Sequence, residues 1–281
     1  MKKIITLLLA LLVVLSLAGC SSKKEDAPAP EEDKKITVGV NPVPHAEILE
    51  NAVKSVLAED GWELEVVVYE DYVLPNENLV AGELDANYFQ TLGYMNNQND
   101  THGWKLKAVR GVHIEPMGLY SDKYTNVADI PEGASISVPN DEDNRTRAIQ
   151  FLIDNGFLNP VEGELSAHTI NGNAEANPHN YEIVELEAAQ LPLALADVDA
   201  SVINGNYALG AGLPASHPAL VVEQFDAETS VRRTNFIVTV EGNENSEKIQ
   251  ALVKAITSDA VSHYIEDTYK GAVITSFVEP E

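Results

Sequence analysis

Cysteine is almost absent from this 281-residue chain: Cys20 stands near the amino terminus and none follows it. The rest can hold no internal disulfide and must be stabilised by an apolar core, which a chain of this length can supply. Basic residues are also scarce, 18 Lys and Arg against 44 Asp and Glu, and a formal charge of −26 repels nucleic acid and anionic lipid. Catalytic signatures are missing: there is no Gly-x-Ser-x-Gly elbow, no phosphate loop ending in Gly-Lys-Ser/Thr, no Gly-x-Gly-x-x-Gly and no His-Glu-x-x-His. The seven histidines (His45, His102, His113, His168, His179, His217, His263) lack ligand spacing and have no cysteines beside them. No metal, no cofactor and no enzyme activity is therefore expected.

What the chain does have begins with a leader. Lys2 and Lys3 precede a charge-free apolar run over residues 4–17, too short for a comfortable membrane span, which closes on Leu17-Ala18-Gly19-Cys20. This layout predicts an export signal over residues 1–19. Its ending resembles the bacterial lipoprotein box, in which cleavage leaves Cys20 as a lipid-bearing first residue. An uncleaved anchor helix is the competing reading. Residues 20–35, rich in Pro, Ala, Ser and charge, read as the lipidated cysteine and a flexible tether. The expected location is the cell membrane, lipid-anchored on its extracytoplasmic face.

From residue 36 the pattern alternates. A β-branched strand (36–40) runs through Asn41-Pro42-Val43-Pro44 into a helix (45–59) whose Ile48, Leu49, Ala52, Val53, Val56 and Leu57 form one apolar stripe. A strand (64–69), a short helix (78–81) and a third strand, ending in the stretch 82–94, follow. Such alternation predicts an α/β fold with a parallel sheet and right-handed crossovers. Further strands are expected over 105–109 and 112–120, and Pro116 inside the second marks a bend out of the first lobe. The alternation then restarts with a strand (135–138), a helix (141–155), a strand (181–186), a helix (188–196) and a strand (198–203). A strand (235–240) and one long helix (246–265) return to the start. Residues 36–120 with 226–281 are thus assigned to lobe 1 and 121–225 to lobe 2, two lobes joined by two crossovers around a cleft that can close on a ligand.

Two stretches carry candidate binding residues. Ligands of open α/β sheets sit beyond the carboxyl ends of strands, where Tyr88, Phe89 and Tyr94 would form an apolar slot among amides; the competing reading makes these rings core. In the helix over 141–155, Asp141, Glu142 and Asp143 supply a cap and first-turn negative charge. Asn144, Arg147, Ala148 and Phe151 share a stripe that brings Arg147 toward the cleft, arranged to meet a carboxylate. An intrahelical ion pair of Arg145 or Arg147 with Asp141 or Asp143 is the alternative.

The runs Gly82-Glu-Leu-Asp-Ala-Asn-Tyr-Phe-Gln90, Glu115-Pro-Met-Gly-Leu-Tyr-Ser121 and Glu185-Leu-Glu-Ala-Ala-Gln-Leu-Pro192, with matching stretches at 139–147 and 202–208, resemble the methionine-binding lipoprotein family (MetQ/NlpA type) of ABC importers. The likeness covers nearly all of residue 36 onward. It implies a two-lobe periplasmic-binding-protein-like fold (type II) and D- or L-methionine or a close relative as ligand. It further implies delivery to an ABC permease driven by its ATPase, with the binding protein acting as a monomer. Carried over by position, Tyr72, Phe89 and Tyr94 match the aromatic slot, and Arg147 the carboxylate clamp, with Asn144 three residues before it. Asn204 and Asn235 match amides near the ligand's amino and carboxylate groups; His113 and Gln190 are weaker matches. Thr91 stands where the family usually has histidine, Gly93-Tyr94 where Pro-Tyr is common, and Arg145 where a neutral or acidic residue is usual, so the slot differs in shape and polarity. A short peptide or another amino acid as ligand, or a surface lipoprotein acting in adhesion or signalling, are the alternatives.

Overall fold

The computed structural model describes residues 34–280; the leader, Cys20 and nearly all of the tether lie outside the described residues. Eleven strands make two sheets. In the first, β1 (Lys35–Val40) is flanked by parallel β2 (Glu63–Val68) and β3 (Ala86–Thr91). Next to β3 runs β10 (Thr234–Val240), followed by β4 (Leu106–Ile114) and a short β11 (Ile274–Thr275). Because β10 is antiparallel to both neighbours, the sheet is mixed, which corrects the expectation of a parallel one. The reason is topological: β10 enters from the other lobe and not by a strand–helix–strand unit within this sheet.

The second sheet has the order β7-β6-β8-β5-β9, built from β5 (Gly118–Tyr120), β6 (Ser135–Pro139), β7 (Glu182–Leu186), β8 (Ala200–Ile203) and β9 (Val221–Val222). β5 pairs with β8 and β9, so the chain leaves the first sheet at Glu115-Pro116-Met117 and not after residue 120. Pro116, with no amide hydrogen to give a ladder, interrupts what would otherwise be one long strand. The return crossing follows β9 through helix α6 (Ala227–Arg233).

Helix α1 (residues 42–59) contains wide turns, and Val43 within it is extended (φ −125°, ψ 133°). Its stripe Ile48, Leu49, Ala52, Val53 and Leu57 packs with Ile36, Val38 and Val40 of β1 and with Leu252, Ile256, Val261 and Ile265 in one core cluster. Helix α2 (Leu74–Val80) covers β3, and α3 (Leu92–His102) follows directly from β3's end. No periodicity announced α3, because only Tyr94 and Met95 are buried along it. Its signals are terminal, a Thr91 hydroxyl accepting from the Tyr94 amide and a left-handed Gly103 just past its end.

In the second lobe, α4 (Glu142–Asp154) starts from β6 with Asp141 as cap and buries Ala148, Ile149, Phe151 and Leu152 against Ile136 and Val138. Helix α5 (Gly205–Gly210) starts from β8 in the same way. The long final helix expected from periodicity is two, α7 (Glu247–Ile256) and α8 (Asp259–Tyr269), because Ser258 turns extended (φ −74°, ψ 157°). Among the described residues, no helix is long and apolar enough to cross a membrane.

The ends of β1, β3, β6 and β8, with the start of β10, all point at one place, and Gly205 lies there against the first crossing. A Cβ on Gly205 would stand 2.6 Å from Glu115 Cβ and 3.0 Å from the Pro116 carbonyl. Gly205→Ala is expected to destabilise the protein by about 1–3 kcal/mol through overpacking. Urea unfolding measures it; wild-type stability would mean that α5 and the crossing are not in firm contact.

Candidate functional site

Eight of the nine expected residues line one cavity between the sheets: Tyr72, Phe89, Thr91, Tyr94, Asn144, Arg147, Asn204 and Asn235. Gln90, Glu115, Gly205 and Asn206 complete its lining.

Strand alternation sorts the aromatic pair in β3. Tyr88 points into the first lobe's core, fully buried, whereas Phe89 faces the cavity. The Phe89 ring stands 5.8 Å from that of Tyr72 and 5.9 Å from that of Tyr94, with Tyr72 and Tyr94 5.8 Å apart. The three rings enclose an apolar slot. Their phenols are spoken for: Tyr94 donates to the Tyr72 carbonyl (3.0 Å), and Tyr72 donates across the cleft to Asn206 Oδ1 (2.6 Å). Tyr207 likewise reaches the Glu70 carbonyl (3.0 Å), so aromatic hydroxyls tie the lobes together around the slot.

Arg147 reaches the cavity from α4, 5% exposed, and its partner is neither Asp141 nor Asp143. Its Nε donates to both Glu223 oxygens (2.9 and 3.2 Å), and Nη2 donates to Glu223 Oε2 and to the Glu115 carbonyl (3.0 Å). Glu223 also accepts from the Met117 amide (3.0 Å), so this one pair grips both crossings. Burial opposes both charges, yet mutual attraction prevails: the Arg147 pKa is raised and that of Glu223 lowered from their ordinary values. Nη1 makes no hydrogen bond among the described residues. Arg145 points elsewhere, to Glu164, Glu185 and the Leu165 carbonyl, which accounts for a cation at that position without involving the cavity.

Amides complete the polar wall. Asn204 Nδ2 donates to Asn144 Oδ1 (2.9 Å), and Asn144 Nδ2 donates to the Asp141 cap (3.0 Å). Asn204 Oδ1 is left buried with no hydrogen-bond partner, an acceptor awaiting a donor. Asn235 opens β10, paired in register with Thr91 on one side and His113 on the other. Gln90, which donates to Asn76 (2.6 Å) and Asn87 (2.8 Å), had no distinguishing sequence signal beyond its place next to Phe89.

His113 does not line the cavity. It is fully buried behind the floor, because its neighbours on β4 and Tyr88 close over it. Gln190 is exposed outside the cavity. What His113 joins is a buried chain that spacing could not reveal. The Tyr88 hydroxyl meets its Nδ1, and its Nε2 lies 2.6 Å from Glu115 Oε1. His45 Nε2 lies 3.3 Å from that oxygen and 3.1 Å from Asn235 Oδ1. The 2.6 Å between His113 Nε2 and Glu115 Oε1 is a hydrogen bond.

Burial lowers His45 from 6.5 to about 4 and His113 to about 3, while it raises the Glu115 carboxyl, against the pull of His45 and Arg147. Both imidazoles are neutral when folded and titrate near their ordinary value when unfolded. The unfolded chain thus binds the extra protons, and the histidine contribution to stability, complete above about pH 6.5, is lost as pH falls toward about 4. Glu115 works in the opposite sense, so a variant isolates the histidines. His113→Gln is expected to flatten the loss of stability between about pH 7 and about pH 5 in urea unfolding; an unchanged slope would contradict a neutral, buried imidazole.

A model of the NlpA lipoprotein family matches residues 36–277. The D-methionine-binding lipoprotein MetQ of Escherichia coli is 34% identical over 94% of this chain and 94% of its own length. A nutrient binding protein from Burkholderia cenocepacia, solved bound to methionine, superposes with a TM-score of 0.76 at 33% identity, covering 86% of this chain and 100% of that one. The substrate binding protein of a methionine transporter from Streptococcus pneumoniae superposes with a TM-score of 0.79 at 30% identity, covering 87% and 96%. With the two sheets, the double crossing and near-complete coverage in agreement, the chain belongs to the NlpA lipoprotein family.

Proposed function

We propose that this protein is the lipid-anchored, extracytoplasmic substrate-binding component of an ABC importer, capturing methionine or a close relative and delivering it to a permease driven by an ATPase. The observation that carries the reading is the cavity's polarity: a buried guanidinium with Nη1 unused, an unpaired amide acceptor in Asn204 Oδ1, and a slot of three rings. A free α-amino acid offers the complement, a carboxylate for Arg147, an ammonium for Asn204 and an apolar side chain for the slot. The methionine names of the relatives support this choice of side chain.

Burial of a methionine-sized side chain contributes about 1.5–3 kcal/mol, and each hydrogen bond to a charged ligand group about 1.5–3 kcal/mol. Against an association cost of roughly 4–15 kcal/mol, micromolar binding requires all three parts of the cavity to act. The protein works as a monomer in this reading, its residues 20–35 tethering it to the membrane through a lipid on Cys20, with transport and not catalysis as its task.

Mass spectrometry of the small molecules released on denaturing the purified protein tests the ligand class directly, and methionine is the expected species. Absence of any small molecule, together with no heat of binding for methionine, would overturn the reading. Two variants test the clamp by calorimetry. Arg147→Ala is expected to weaken methionine binding by about 3–5 kcal/mol, as when a buried charge loses its partner. Glu223→Gln removes the charge that neutralises Arg147 while leaving it one acceptor oxygen, and is expected to strengthen binding; a weaker complex would mean that Arg147 serves the crossings alone.

A further inference from the structure

Asn235 faces the cavity by one end of its amide, and which end that is decides whether the ligand meets a donor or an acceptor there. The buried chain behind it settles the choice. Tyr88, whose phenol burial holds protonated, gives its hydrogen to His113 Nδ1, so the proton of neutral His113 is on Nε2 and is directed at Glu115 Oε1. The same oxygen lies 3.3 Å from His45 Nε2. A bare nitrogen there would set its lone pair against a carboxyl oxygen in a dry interior, so the His45 proton is on Nε2 as well. His45 Nδ1 is then the unprotonated atom: it makes no hydrogen bond, and the Val43 backbone contact, which favours a protonated ring, is weaker than those of Glu115 and Asn235 at Nε2.

From the tautomer the amide follows. Nε2–H of His45 points between Glu115 and Asn235, and the Asn235 atom 3.1 Å away must be the acceptor, Oδ1. Nδ2 is turned to the cavity, where it makes no hydrogen bond among the described residues.

Resting on the amino-acid reading above, we propose that His45, its tautomer selected by Glu115, is a positioning residue that locks Asn235 with its N–H donors toward the ligand, so that the site prefers a carboxylate to an uncharged amide at that end. With the lock removed, the Asn235 amide can turn over and offer either atom.

Selective ¹⁵N-histidine labelling and NMR near pH 7 test the tautomer without any ligand, and His45 is expected neutral with Nε2 protonated; an Nδ1-protonated or doubly protonated ring overturns the proposal. Calorimetry with methionine and methioninamide tests the consequence. In His45→Leu the preference for methionine over methioninamide is expected to fall about tenfold, the worth of one hydrogen bond to a charged group. His45→Gln, which restores a donor, should keep the preference within about threefold of wild type. Equal losses for both ligands in His45→Leu, as from general damage, or an unchanged preference, overturn it. If wild-type protein binds neither ligand, the methionine reading fails and the NMR result alone decides the tautomer lock.

Discussion

Arg147 and Glu223 form the contact on which the rest of the site depends. They are 76 residues apart in sequence, and each brings a separate part of the molecule: α4 of the second lobe, and the return crossing just after β9. Through Met117 and the Glu115 carbonyl the pair also holds the outgoing crossing. Two charges taken so far out of water are tolerable only because each oxygen and nearly every nitrogen is used. Loss of either partner would leave the other buried and unsatisfied. The residue that braces the two crossings also lines the cavity.

The remaining lining has the same economy. Thr91, Asn235 and His113 lie side by side across three strands, β3, β10 and β4, because β10 threads between the other two in antiparallel register. The cavity floor is thus a row of strand ends, and behind it Tyr88, His113 and His45 form a buried polar group with Glu115, which itself reaches the lining. The Thr91 hydroxyl accepts, at 3.3 Å, from the amide of Tyr94. It caps the helix that carries Tyr94 into the slot, and so shapes the aromatic wall besides lining it.

Much of the architecture could be read from local pattern. The β-branched runs became β1, β2, β6 and β8, and the apolar stripe of residues 48–57 became the packed face of α1. Asp141 capped α4 as its position suggested. Elements without such a pattern were harder to see. Helix α3 is polar nearly throughout and is specified by its two ends. The break between α7 and α8 rests on the backbone of one serine, and the direction of β10 depends on where the chain came from, which no window of residues contains.

Sequence alone determined the residue types of the site and their delivery: rings and amides at strand ends, and an arginine on the first turns of α4. Those assignments rest on periodicity and capping, which act over a few residues. The tertiary structure decided which of these groups meet. It turned Tyr88 and His113 away from the cavity, gave Arg147 a distant glutamate in place of a helical neighbour, and set His45 between Asn235, its hydrogen-bond partner, and the carboxyl of Glu115. The physical reason is that a buried polar group must find its partner wherever the fold supplies one. That partner is chosen by three-dimensional proximity and desolvation, to which distance along the chain is no guide.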